Sequence, residues 1–107
     1  VDASQSTDMT DEERIREMIH EKIYRCLHRE VPHSVRQVNR QLTRTSELIV
    51  IHQDLVVETK SHKRLVMGTG GRTMRRIHEA AQRDLEAMFD CKVSLRLHVR
   101  HNKSNAG

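Results

Sequence analysis

Three of the four glycines in this 107-residue sequence stand within four positions, Gly68-Thr69-Gly70-Gly71, and they force a turn into an otherwise helical stretch. Glycine lacks the Cβ that restrains the backbone, so such a cluster breaks a helix and favours tight reversal. Before it, residues 61–67 (SHKRLVM) suit a short helix capped by Ser61. After it, Met74, Ile77, Ala81, Leu85 and Met88 recur at helical spacing over about 72–89. Then Val93, Leu95, Leu97 and Val99 alternate strictly with Lys92, Ser94, Arg96, His98 and Arg100, the pattern of a strand with one face on a core. A helix–turn–helix held between strands is thereby predicted, because residues 48–59 (LIVIHQDLVVET) are β-branched and apolar and read as a strand.

The amino-terminal part adds one more helix. Thr10 followed by Glu13 forms a capping box, with Asp11, Glu12 and Glu13 at the positive helix end. Ile15, Met18, Ile19, Ile23, Cys26 and Leu27 give an amphipathic helix over about 11–29, with Glu12–Arg16 and Glu21–Arg25 as i,i+4 pairs. Pro32 ends it. Residues 35–44 are weakly patterned, with Val38 and Leu42 compatible with one strand face. The link 43–47 is short enough for a hairpin, and the pattern shift at His52–Asp54 marks a bulge or a short interruption. The order is helix, strand, strand, short helix, glycine turn, long helix, strand. An α+β domain with helices packed on one face of a three-stranded sheet is expected over 10–100. Residues 1–9 are expected to be a flexible linker, the end of something longer, and 101–107 a polar tail.

Charge is distributed unevenly. Residues 1–30 carry eight acids and five bases, residues 31–107 carry fourteen bases and seven acids, and 60–76 has six bases and no acid. That asymmetry suggests a polyanion on one face. Tyr24 and Phe89 are the only aromatic rings of the Phe, Tyr and Trp type, which argues against modules that stack bases on an aromatic sheet. Cys26 and Cys91 form no CxxC pair and read as small buried hydrophobes of a reducing compartment. No apolar run approaches the length of a membrane span, and residues 1–14 are too polar for a signal peptide.

The chemistry concentrates at the glycine turn. A GxxG turn lets another backbone approach closely, and the helix that follows offers N–H groups and partial positive charge to a phosphate. Lys63, Arg64, Arg72, Arg75 and Arg76 add full charges beside it. In a KH domain such a loop clamps about four nucleotides of backbone. Met67, Met74, Ile77 and part of the 48–59 strand are the expected walls of an apolar groove for the bases.

Two segments carry a family resemblance: Glu30-Val31-Pro32-His33-Ser34-Val35, and Lys63-Arg64-Leu65-Val66-Met67-Gly68-Thr69-Gly70-Gly71 continuing through Ile77, Glu79, Ala80, Asp84, Leu85, Met88, Phe89 and Val93. Together with the αββααβ order they resemble the carboxy-terminal type II KH domain of Era-type ribosome-assembly GTPases, over about residues 10–100. The resemblance implies a mixed three-stranded sheet and binding of the 3′ end of small-subunit ribosomal RNA within the pre-ribosomal small subunit. Gly68, Thr69, Gly70 and Gly71 would be the clamp, and Met67, Met74 and Ile77 would face the bases. GTP and Mg2+ would belong to a preceding GTPase domain, leaving this chain a monomeric domain with no cofactor. The sequence departs from the family at two places: Gly70 stands where the loop usually has a basic residue, with Arg72 nearby, and the Thr43–Glu47 link is short. These departures point to an organellar member in the mitochondrial matrix, the alternative being a bacterial cytoplasm.

Other chemistries fit less well. The chain has no GxxxxGK[ST], so no P-loop hydrolysis is expected of it. His20-Glu21 is not HExxH, because Tyr24 takes the second ligand's place, and His98 with His101 lacks a third partner nearby in sequence. Neither cysteine has an activating base in view, Asp54 is expected at a bulge or turn, and the first helix is expected to face the core rather than a partner. Two functions remain: single-stranded RNA binding through the GxxG cleft, or a degenerate KH fold used for protein contact inside a ribonucleoprotein.

Overall fold

A computed structural model of the chain describes residues 10–28 and 31–102; the expected linker over 1–9 and all of the expected tail beyond 102 lie outside them. The elements run α1 (Asp11–Cys26), a 3-10 turn (Val31–Ser34), β1 (Arg36–Arg44), β2 (Leu48–Val57), α2 (Lys60–Met67), a 3-10 turn (Thr69–Gly71), α3 (Arg72–Phe89) and β3 (Lys92–His101). His101, expected in the tail, closes β3 opposite Val57.

The capping box starts α1 as its residues require: Glu13 N–H donates to Thr10 Oγ1 at 3.1 Å, and Thr10 N–H donates to Glu13 Oε1 at 3.0 Å. Both i,i+4 pairs form, Arg25–Glu21 at 2.8 Å and Arg16–Glu12 at 3.9 Å. The helix stops at Cys26, three residues before its expected end, because Leu27 turns extended and buries its side chain, and Val31 and Pro32 bury theirs in the 3-10 turn just after. Apolar demand on Leu27 and Val31 overrides the helical pattern before Pro32 is reached.

The sheet order is β1-β2-β3, with β1 antiparallel and β3 parallel to β2. A parallel pair needs a crossover, and α2 with α3 supplies it. Ile49, Ile51, Leu55 and Val57 of β2 and Val93, Leu95 and Val99 of β3 are buried together with Ile15, Ile19 and Ile23 of α1 and Ile77, Ala81 and Leu85 of α3. All three helices of the described residues therefore sit on one face of the sheet, and none of them covers the other. The irregularity expected at His52–Asp54 lies across the ladder instead: β2 is continuous, and the register shifts in β1 between Asn39 and Gln41, leaving Arg40 as the extra residue. A central strand is bonded on both sides, so the edge strand absorbs the insertion.

Two polar links tie helices to each other and to the sheet. Lys22, 2% exposed, pairs through Nζ with Asp84 of α3 and lies 3.6 Å from Glu21. Arg44 at the end of β1 pairs with Asp11 and stacks over the Phe89 ring at 5.0 Å. Cys26 and Cys91 are free thiols, half-buried against the core.

Candidate nucleic-acid interface

The glycine turn is built from both ends. Thr59, rather than Ser61, caps α2: its Oγ1 accepts from His62 N–H at 3.0 Å, which places Ser61 inside the helix. At the other end Gly68 has φ 77° and ψ 171°, a conformation essentially reserved for glycine, and its N–H donates to Arg64 O at 2.9 Å. A Cβ there would lie 2.7 Å from Thr73 Cβ and 2.8 Å from Thr73 N, so the backbone of α3 occupies the space a side chain needs. Gly71 N–H donates back to Gly68 O at 3.0 Å and closes the turn. Gly70 and Gly71 also have positive φ, 63° and 76°, yet a Cβ on either would meet nothing within 4 Å.

These glycines thus have different physical roles. Gly68 is required by packing, whereas Gly70 and Gly71 leave bare backbone facing solvent. Gly68→Ala is accordingly expected to cost about 2–3 kcal/mol from clash plus strain, against about 1 kcal/mol for Gly71→Ala from strain alone. Thermal melts of the two variants check this: the drop in Tm of the Gly68 variant should be about two to three times that of the Gly71 variant.

No side chain caps the N-terminus of the 18-residue α3, so its positive end opens onto that bare turn. The bases of the 60–76 stretch, Lys60, Lys63, Arg64, Arg72, Arg75 and Arg76, are all exposed. Beside the turn runs a groove between α2 and α3 on one side and β3 on the other, lined by Lys63, Met67, Gly71, Met74, Arg75, His78, Leu97, His98 and Val99. It continues along α2 past Lys60, Arg64 and Gly68 toward Arg100 and His101. Because β3 pairs only with β2, its outer edge keeps unpaired backbone groups along the groove. Two of the edge groups are taken: Val93 N–H donates to Glu86 Oε2 at 3.1 Å, and His78 Nε2 lies 2.6 Å from Leu95 O. A carbonyl only accepts, so Nε2 carries the hydrogen and fastens α3 to the edge strand.

The expected site residues divide into three groups. Gly68, Thr69, Gly70 and Gly71 form the turn, and Lys63, Met67, Met74 and Arg75 line the groove, with Arg64 on its extension. Arg72 and Arg76 stand exposed on α3 outside the groove lining. Ile77 is 0% exposed and belongs to the core beneath the floor, so it presents no surface to a base. The expected strand wall is corrected as well: β2 is central and its Ile51, Gln53 and Leu55 are buried under the helices. The wall is β3, through Leu97, His98 and Val99, and with His78 these are the groove residues that sequence reasoning missed. The alternation of 92–100 was visible, but not its place at the sheet edge.

Other histidines serve local structure. Tyr24 Oη and His33 Nδ1 lie 2.8 Å apart, and Ser34 Oγ, which donates to Val31 O at 2.8 Å, lies 3.1 Å from His62 Nδ1. Among the described residues no three His, Cys, Asp or Glu side chains converge as a metal site, and no helix is long and apolar enough to cross a membrane.

An αββααβ chain with a mixed sheet and GxxG between its crossover helices has the type II KH fold. The profile of the KH domain matches residues 30–104, and the chain belongs to that family. Among known proteins it is similar to the GTPase Era of Geotalea uraniireducens (strain Rf4), 40% identical over 98 residues that make 91% of this chain and 33% of that protein. The GTPase Era of Deinococcus deserti is 38% identical over 95 residues, 88% of this chain and 31% of that protein. The chain thus spans about a third of the relatives it matches, all of the named ones bacterial. Of solved structures, an Aquifex aeolicus Era variant bound to GDP and AlF4− superposes with a TM-score of 0.81 at 23% identity, covering 90% of this chain and 33% of that one. Era in complex with MgGDPNP and nucleotides 1506–1542 of 16S ribosomal RNA gives 0.75 at 23% identity, covering 82% and 30%.

Proposed function

We propose that this domain binds single-stranded RNA, with the phosphates on the Gly68–Gly71 turn and the bases in the groove between α2, α3 and β3. The observation that carries this reading is the bare backbone of Gly70 and Gly71 beside an uncapped helix N-terminus and six exposed cations. Lys63, Arg64, Arg72, Arg75 and Arg76 neutralise the backbone, while Met67, Met74, Leu97 and Val99 give the bases a soft apolar bed. Unpaired edge groups of β3 supply hydrogen-bonding partners to base edges. The biological ligand we propose is the 3′ end of small-subunit ribosomal RNA during small-subunit assembly. The similarity to GTPase Era proteins supports it, as does the 16S RNA segment in one solved Era structure. In the same reading a preceding domain holds GTP and Mg2+ and governs the binding. For the compartment, Gly70 and the short hairpin support the mitochondrial matrix, and the bacterial relatives support a bacterial cytoplasm.

Fluorescence anisotropy on short RNAs, one carrying a small-subunit 3′-end sequence, tests the proposal. About four clamped phosphates predict that log affinity falls with log salt at a slope near −3. A slope near zero, or no binding, favours the protein-contact reading, to which Gly70 in place of a basic residue lends its one support.

A further inference from the structure

The helix-free face of the sheet has a charge pattern that the groove does not explain. Register places Arg36, Val56 and Arg100 in one row across it, Gln41, His52 and Arg96 in another, and Lys92 beside Leu48 at the end. With Arg40 at the bulge, five cations share this face. Among the described residues its one carboxylate, Asp54, is 5% exposed and lies 3.6 Å from Arg40 Nε and 3.4 Å from Arg100 Nε. The bulge in β1 is what brings Arg40 to Asp54, and bulges re-aim side chains in this way. One buried carboxylate thus organises two half-exposed guanidiniums, and Arg36, Lys92 and Arg96 add charge that no described acid neutralises.

We infer that this face is a second RNA-backbone surface, engaging phosphates of the strand after it leaves the groove over the edge of β3. The inference rests on the RNA-binding reading of the groove. Continuity supports it: along β3, Leu97 and Val99 turn into the groove, Arg96 and Arg100 lie on the open-face register, and His98, on that same register, reaches over the edge to line the groove. Neighbouring strands are about 4.8 Å apart, so a chain crossing β3 meets the cations of β1 within about 10 Å. Arginines on an open sheet suit phosphates, which accept two parallel N–H bonds from one guanidinium.

The test compares an unstructured six-nucleotide RNA, which fills the groove alone, with an unstructured twenty-nucleotide RNA. The variant is Arg36→Gln, Lys92→Gln and Arg96→Gln, three exposed positions that share no ion pair with a described residue. Affinity for the short RNA should change less than twofold. For the long RNA it should fall about tenfold, with the salt slope reduced by about 2 for three lost phosphate contacts. Crosslinking of 4-thiouridine in the long RNA to β1 and β3 peptides of the unmodified protein gives a readout that needs no variant. Unchanged long-RNA affinity without such crosslinks overturns the inference and leaves the face to an acidic protein surface. Equal weakening of both RNAs also overturns it, as a general field effect. Failure of the groove reading shows separately, as short-RNA binding that survives Thr69→Asp with Gly70→Asp.

Discussion

A chain carrying Thr69→Asp and Gly70→Asp is expected to lose single-stranded RNA binding by about a hundredfold or more while remaining folded. Each substitution puts a negative charge where a phosphate would sit against the turn. At about 5 Å, with an effective dielectric of about 40, between those of a protein surface and water, each repulsion is about 1.7 kcal/mol. Two of them remove about 3 kcal/mol or more, which is over a hundredfold in affinity. The cost to folding is small, because both positions are exposed and a Cβ at Gly70 meets nothing within 4 Å. Gly70 does sit at φ 63°, but aspartate tolerates that region better than most residues, at about 1 kcal/mol. Anisotropy titration paired with a thermal melt separates the two effects. Full-strength binding by a folded variant would remove the turn from the RNA site.

Asp84→Asn is expected to destabilise the domain by about 2–3 kcal/mol, whereas Lys22→Met should be neutral or stabilising by about 1 kcal/mol. The asymmetry follows from burial. Lys22 is 2% exposed, so removing its partner strands an ammonium between α1 and α3, with only Glu21 at 3.6 Å to compensate. Asp84 has a side chain 43% exposed, so the cost falls below the roughly 3–5 kcal/mol of a fully buried pair. Methionine matches the lysine stem and leaves a carboxylate that water can reach. Melts should show Tm falling by about 10–20 °C for Asp84→Asn.

Acid unfolding gives an independent check on the same pair. The hydrogen bond from Lys22 holds the Asp84 carboxyl below its ordinary value of 3.8, outweighing desolvation, which acts the other way. A depressed folded pKa gives stability that is present above the unfolded value and lost as pH falls through the folded one. The loss therefore belongs below about pH 3.8, and Lys22→Met should flatten the stability curve there. An unchanged acid limb in that variant would show that the pair contributes nothing to it.

What the sequence alone determined about this protein is its set of local structures. The box at Thr10 and Glu13, the helical spacing from Met74 to Met88, the alternation from Val93 to Val99 and the glycine turn each arise from interactions within a few residues. Their pattern is written in adjacent positions. So is the acid-free basic stretch beside the turn. The weak reading of 35–44 has a physical source: β1 is an edge strand whose side chains are mostly half-buried or exposed, so little apolar alternation was imposed on it. Tertiary structure decided everything that joins distant segments. It put β3 rather than β2 at the groove, because the crossover pairs β3 parallel to β2 and leaves β3 at the sheet edge. It turned Ile77 into the core while Met74, three residues earlier on the same apolar stripe, stayed at the groove, since a stripe that wide spans both floor and wall. It also paired Lys22 with a residue 62 positions away and gathered Arg40, Asp54 and Arg100 from three strands. Those meetings depend on packing across the whole domain, and no local periodicity encodes them.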